Sequence, residues 1–342
     1  MSTTSQERPS VSAIAGDQPS TRIRLTPNLF GTSFGLSGLA AAWTAAGDTL
    51  GLPGWPAGVL WAVAAAVHVV VLVAYLTDAL IHRRLRADVD DPTLGPFTAL
   101  GAIPLLLLGA ELARHSRGVG EVVVVVGAVA TLLLGAWLTG GWILRPHDLE
   151  RWHPGYFLPS VAGGLVAANA TARLGWDTIA VVLFGYGAVS WLVLGSILLV
   201  RLFTRPALPA ALLPTMAIEV APPVVASNAW FAINGGRSDL VVLLLAGYGV
   251  FMALVQLRLL PLYAKSTFGP GFWSFSFSYA ALASTVLTWL RIQSPTGAQF
   301  WTVVVLAALT LGYALLVART AVALVRGRYL VRVPVAQPGS PA

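Results

Sequence analysis

The side chains that could do chemistry are few and scattered. Between Gly271 and Leu290 the run GFWSFSFSYAALASTVLTWL sets Phe272, Trp273, Phe275, Phe277 and Tyr279 among Ser274, Ser276, Ser278, Ser284 and Thr285. Residues two apart on a helix point about 200° from one another, so Phe275 and Phe277 cannot face the same way. Phe277 shares its face with Ala281, Ser284 and Thr288, whereas Phe275 shares its face with Tyr279, Leu282, Val286 and Trp289. The first face is small and hydroxylated below one ring; the second is bulky and apolar. A hydroxylated path closed by an apolar ring suits a gate that works by excluding water. Packing of an aromatic between helices is the plainer use of the same ring.

Glu219 lies in an apolar stretch, three residues before Pro222. An ionisable group at membrane depth is costly and points to function. On an α-helix Thr215, Glu219, Pro222 and Ala226 share a face. A carboxylate there would repel anions, while a protonated acid could couple proton movement to anion movement. A protonated structural Glu, bonded to a neighbouring helix, is the alternative. Asn169 and Asn228 can line a path or hydrogen-bond between helices. His68 stands alone inside its segment, which does not make a bis-histidine haem site. The run RPHDLERWHP offers His147, Asp148, Glu150 and His153 either to a metal or to water in a solvated turn. Arg83, Arg84, Arg86 and Arg201 could gather anions at one mouth. A membrane enzyme would need clustered His, Asp or Glu within the helices, and these groups are dispersed. Without cysteines there is no thiolate metal site or disulfide, and no GxxxxGK[ST] loop offers to hold ATP. No metal or other cofactor is expected.

The elements that must position these residues are membrane helices. The 342 residues are 56% hydrophobic, have a mean hydropathy of +0.77 and are only 10% charged, against about 25% in a soluble domain. Ten apolar runs are long enough to span a bilayer: 28–47, 57–80, 94–113, 119–144, 155–173, 176–201, 209–233, 238–262, 270–290 and 298–325. Residues 1–27 read as a disordered tail, 28–325 as one transport domain and 326–342 as a second tail. With ten crossings, 16 of the 21 Lys and Arg fall on the side of the termini and 5 on the other. That bias places both ends in the cytoplasm, in the inner (plasma) membrane. The net charge of +7 then mostly reflects this inner-face bias, whose simplest consequence is contact with anionic lipid headgroups, and it calls for no nucleic acid.

Odd and even segments differ. Segment 1 carries Gly31, Gly35 and Gly38 on one face; segment 3 has Pro104; segment 5 has Pro159, Gly163 and Gly164; segment 7 has Pro222 and Pro223. The even segments read as unbroken Val/Leu/Ala runs without internal proline. Broken or nearly bare helices are tolerated where they are buried in protein or line a cavity, although glycine faces also pack helix on helix. The alternation, with a period of about 60 residues per pair, is a repeated unit. The expected fold is therefore all-α: five tandem helical hairpins, with odd helices as an inner, pore-forming ring and even helices outside. On this reading Gly31, Gly35, Gly38, Pro104, Pro159, Gly163, Gly164, Pro222, Pro223, Ala281, Ser284 and Thr288 line the pore. Phe277, beside Phe275, is the gate, and Glu219 is a candidate proton site.

Four stretches, FGTSFGLSGLAAAW, HPGYFLPSVAGGLVAANA, AIEVAPPVVASNAW and GFWSFSFSYAALAST, resemble the tellurite-resistance/dicarboxylate transporter family, which includes the slow-type anion channels of plants. The resemblance covers about residues 24–325 and is nearest to the bacterial TehA-like members. It implies a pore of odd helices, a phenylalanine gate in the ninth helix, a homotrimer in many members, and anionic substrates: chloride, nitrate, sulfite, tellurite or C4-dicarboxylates such as malate. Ser278 stands where many relatives carry proline after the gate. The expected function is a passive anion channel or carrier; the alternative is a proton-coupled exporter or importer of sulfite, tellurite or malate using Glu219.

Overall fold

A computed structural model describes residues 21–146 and 148–334, and it is almost wholly helical. In chain order the α-helices are α1 (Gly31–Leu50), α2 (Trp55–Ile81), α3 (Leu85–Asp90), α4 (Ile103–Leu112), α5 (Arg117–Leu144), α6 (Gly163–Arg173), α7 (Asp177–Thr204), α8 (Ala221–Ile233), α9 (Leu240–Tyr263), α10 (Ser274–Gln293) and α11 (Ala298–Val325).

Among the described residues, seven spans are long and apolar enough to cross a membrane: α2, α5, α7, α9, α11, and the two composite segments Gly95–Leu112 and Leu213–Ile233. The chain is a multi-pass membrane protein. The other three expected spans contain α1, α6 and α10. The first and last are 20 residues each but rich in Gly, Ala, Ser and Thr, and α6 is only 11 residues long. Their packing explains the lower hydropathy. Buried residues make up 67% and 78% of the two composite spans but only 17–28% of α2, α5, α7, α9 and α11. Inner segments meet protein on most sides and need no lipid-grade surface, whereas the outer helices expose rows such as Val69, Val70 and Val73.

The inner helices touch in a closed order. Helix α1 packs on α10, α10 on α8, α8 on α6, α6 on α4, and α4 back on α1. Each is followed by the outer helix it pairs with: α2, α5, α7, α9 and α11.

All five inner segments begin in a tight or irregular turn before α-geometry takes over. The 3-10 stretches are Pro27–Phe30, Gly95–Gly101, Pro154–Tyr156, Leu213–Val220 and Pro270–Trp273, and Leu158–Ala162 forms a π-helical turn. Each stretch carries proline in its first two positions (Pro27, Pro96, Pro154, Pro159, Pro214 and Pro270), where the missing N–H costs nothing. Pro104 and Pro222 likewise sit at the start of α4 and α8. They restart helices rather than kinking them midway. The expectation of proline-free even segments fails at Pro261, inside α9 but near its end.

Residues 21–24 and 331–334 were expected in loose tails. They pair as antiparallel strands β1 (Thr21–Arg24) and β2 (Val331–Pro334), with Ile23 opposite Arg332. Arg24 donates to buried Asp88 at 2.7 Å, Leu25 N–H donates to Asp78 at 3.0 Å, and Arg84 bridges both carboxylates. A buried Asp needs such partners, so the network fixes the chain ends to α2 and α3. Residues 1–20 and 335–342, and His147, lie outside the described residues.

Candidate functional site

Two cavities lie along the axis enclosed by the inner helices. One, near the irregular helix starts, has a volume of about 40 Å³ and is lined by Gly31, Phe34, Phe97, Leu100, Phe157, Val161, Ile218, Pro222, Trp273 and Phe277 among others. The second is about 380 Å³ and lies toward the helix ends. Its wall includes Asp48, Glu111, Asn169, Arg173, Asn228, Ala281, Ser284, Thr288 and Arg291, and again Phe277. Phe277 thus stands between a small apolar space and a larger one whose wall also carries charged and polar residues. Its ring stacks on Phe34 with centroids 3.6 Å apart and planes 18° apart. That is closer than the roughly 4.5–7 Å aromatic pairs prefer.

The close approach of α1 to α10 makes this stack. A Cβ on Gly35 would fall 2.0 Å from Ser276 Oγ, and one on Gly38 would fall 2.9 Å from the Ala280 Cβ and 3.2 Å from the Phe277 ring. Gly35 and Gly38 therefore serve the helix contact, not the cavity wall; Gly31 lines the inner cavity. Gly163 and Gly164 likewise let outer helices in, facing Thr131 of α5 and Gly187 of α7. Pro104, Pro159 and Pro223 are buried but do not line either cavity. Pro222 lines the inner cavity, and Ala281, Ser284 and Thr288 line the outer one on the Phe277 face. Phe275 points away, edge-on to Tyr263 and stacked with Tyr279 in a separate cluster.

The hydroxyl lining is less generous than its composition implies. Thr288 donates to Ser284 O at 2.9 Å, and Thr285 donates to Val224 O and Ala281 O, each at 3.0 Å. Of these two only Thr288 lines the cavity, and a threonine bonded back to its own helix shows it a lone pair rather than a proton. Ser284 makes no such bond among the described residues and keeps its donor.

Glu219 is buried, yet it lines neither cavity. The shared face with Thr215 fails because Leu213–Val220 is a 3-10 helix, with 3.0 rather than 3.6 residues per turn. Ile218, Ala221, Pro222 and Val225 turn inward instead. Glu219 Oε1 has no hydrogen-bond partner among the described residues. On neighbouring α9, Gln256 donates to Met216 O and Tyr263 donates to Gln256.

The remaining candidates are structural in their contacts. His68 Nδ1 lies 3.1 Å from Ser33 Oγ, between α2 and α1. His153 is fully buried; its Nε2 faces Thr93 O at 3.1 Å and its Nδ1 accepts from Gly155 N–H at 3.2 Å, leaving no lone pair for a metal. Burial pushes its pKa down to about 4 against the raising effect of the Thr93 bond. Arg84 is held by Asp78 and Asp88, and Arg201 donates to Pro206 O and Glu150 O. Neither of them lines a cavity. Asn169 and Asn228 line the outer cavity and also bond between helices: Asn169 Nδ2 to Asn228 O at 2.9 Å, Asn228 Nδ2 to Ala281 O at 3.1 Å. Residues of the site that escaped the sequence reading include Phe34, Asp48, Arg173 and Arg291. Phe34 is an aromatic flanked by Ser33 and Gly35 on the small-residue run GTSFGLSG, which was a signal available to find it.

A helical membrane protein whose buried inner helices enclose aligned cavities belongs to the channels and transporters. The voltage-dependent anion channel (SLAC1) family model matches residues 24–321, and the chain belongs to that family. It is 29% identical over 263 residues to the tellurite resistance protein TehA homolog of Haemophilus influenzae, covering 76% of this chain and 80% of that one. Over 196 residues it is 30% identical to the S-type anion channel SLAH1 of Arabidopsis thaliana, covering 56% of this chain and 51% of that protein. The guard cell S-type anion channel SLAC1 of the same plant matches at 36% over 103 residues, 30% of this chain and 18% of that one.

Proposed function

We propose that this protein passes small anions across a membrane along the axis of α1, α4, α6, α8 and α10, and that the ring of Phe277 closes the path. One observation carries the reading: Phe277 borders both cavities and is the ring between them. Chloride, nitrate, sulfite, tellurite and C4-dicarboxylates are the candidate substrates, in keeping with relatives named as anion channels and for tellurite resistance. Ten crossings, as five helix pairs, suit this reading. The pairing of β1 with β2, residues 21–24 with 331–334, supports an even number of crossings. The basic bias then puts the side of the termini in the cytoplasm.

The test is anion flux in proteoliposomes, wild type beside Phe277→Ala, with chloride, nitrate, sulfite and malate in turn. A large rise on removing the ring supports an occluded channel; an unchanged flux refutes the gate. A second reading, a proton-coupled carrier, draws on the unpartnered, buried Glu219. It requires pH-driven, saturable uptake that loses its pH dependence in Glu219→Gln.

A further inference from the structure

The outer cavity holds more charge than a passive vestibule needs. Arg173 ends α6, is exposed and lines this cavity. Its Nε donates to Asn169 Oδ1 at 2.9 Å, which fixes the plane of the guanidinium. Asn169 is itself held by its bond to Asn228 O, and Asn228 by its bond to Ala281 O, one turn beyond Phe277. Arg173 is therefore tied by three consecutive hydrogen bonds through α6 and α8 to α10. Its two terminal nitrogens make no hydrogen bond or ion pair among the described residues. Arg291, near the end of α10, lines the same cavity and also has no ion-pair partner among the described residues.

The charges that act on Arg173 are Glu111, Asp48, Arg114 and Arg291. Glu111 is engaged by Arg114 at 3.3 Å and lies 3.7 Å from His115, which leaves Asp48 as the acid of the cavity wall without an ion-pair partner among the described residues. Two free guanidiniums against one free carboxylate make the wall attractive to anions. Ser284 adds a free hydroxyl donor between them and the Phe277 ring. A guanidinium with its Nε committed still presents two parallel N–H donors, a fork that matches the paired oxygens of a carboxylate or oxyanion. A spherical halide gains the charge but not the fork.

We propose that Arg173 and Arg291 form an anion-binding site in the outer cavity, selective for carboxylates and oxyanions over halides, where the substrate waits before the Phe277 ring. This deepens the transport reading given above and rests on it for the word substrate; the site itself is a binding claim that stands or falls without transport. Arg173 is the fork, Asn169 the residue that positions it, and Asp48 a counterweight that keeps the site from holding its anion too firmly to release it.

Binding is measured calorimetrically on the full-length protein in detergent, with malate, sulfate and chloride as separate probes, alongside flux in vesicles. Wild type is expected to bind malate and sulfate at least tenfold more tightly than chloride. Arg173→Gln and Arg291→Gln should each weaken malate binding about tenfold, consistent with loss of a charge-assisted contact. Arg173→Lys keeps the charge and loses the fork, so the preference over chloride should shrink while chloride binding stays near wild type. Asp48→Asn should tighten malate binding severalfold, an opposite sign that misfolding would not produce. Arg205→Gln, on the other side of the protein, should change nothing. Wild-type protein that binds none of the probes, or Arg173→Gln and Arg291→Gln variants that bind like wild type, would overturn the site. Binding that follows these variants without any flux would instead leave the site standing and sink the transport reading.

Discussion

The stack of Phe34 on Phe277 allows the gate to be tested without touching the gate ring. Truncating Phe34 to Ala leaves Phe277 in place but removes the face it rests on. An aromatic pair is worth roughly 0.5–1.5 kcal/mol beyond its buried area. If swinging Phe277 aside must break that contact, its loss raises the open fraction about 2- to 12-fold, since 1.4 kcal/mol is a factor of about ten. Flux in proteoliposomes should rise by that factor in Phe34→Ala. In Phe277→Ala the obstruction itself is gone, so the rise should be larger. The double variant should add little to Phe277→Ala, because the ring that Phe34 supports no longer exists. Neighbours that share one contact are non-additive in this way. Phe275→Ala, whose ring packs against Tyr263 and Tyr279, should leave flux near wild type. A Phe34→Ala flux equal to wild type, or effects of Phe34 and Phe277 that simply multiply, would refute the paired-ring argument.

Three further outcomes are expected. Gly35→Ala should destabilise the protein by about 1–3 kcal/mol through overpacking, because the added methyl meets Ser276 at 2.0 Å; thermal unfolding in detergent reads this directly. Acidification should destabilise through His153, whose folded pKa of about 4 lies below the ordinary value of 6.5. The unfolded chain takes the proton first, so this contribution is complete above pH 6.5 and is lost as the pH falls toward 4. It amounts to about 3 kcal/mol at most, and the unfolding midpoint of His153→Gln should depend less on pH over that interval. Glu219→Gln should keep both the flux and its pH profile, because Glu219 lies outside the two cavities; a lost pH dependence would move the protein to the proton-coupled class.

The sequence reveals those features that depend on which face of a regular helix a residue occupies. The Phe277 face is legible because α10 is a regular helix from Ser274 onward, so counting by 3.6 works. The same counting misplaces Glu219, because its segment winds as a 3-10 helix. Evidence for that winding was present in the proline that opens each inner segment, at 27, 96, 154, 214 and 270. A proline there marks where the backbone may be irregular without losing a donor, not a kink. Gly35 and Gly38 were legible as a bare face but not in their purpose, since a bare face lines a void and admits a helix equally well. Arg173 was hidden for another reason. Counted among the basic residues that orient the chain, it looked like a topological signal, and only the fold brings it beside Asn169 and Arg291. Pairing of the chain ends joins residues too far apart in sequence for any local pattern to announce.

That distant pairing has a consequence for synthesis. The seam between the first and last helix pairs is closed by β1 on β2, by Tyr313 donating to Gly35 O across 278 residues, and by Trp43 donating to Thr310 across 267. Until α10 and α11 have left the ribosome, the glycine face of α1 has no partner but lipid, and Phe34 has no ring to meet. A chain that stops before α10 leaves the circle of inner helices open between α8 and α1. On the reading proposed above, the passage and the ring that closes it are then completed by the same final segment, and a truncated product would supply neither.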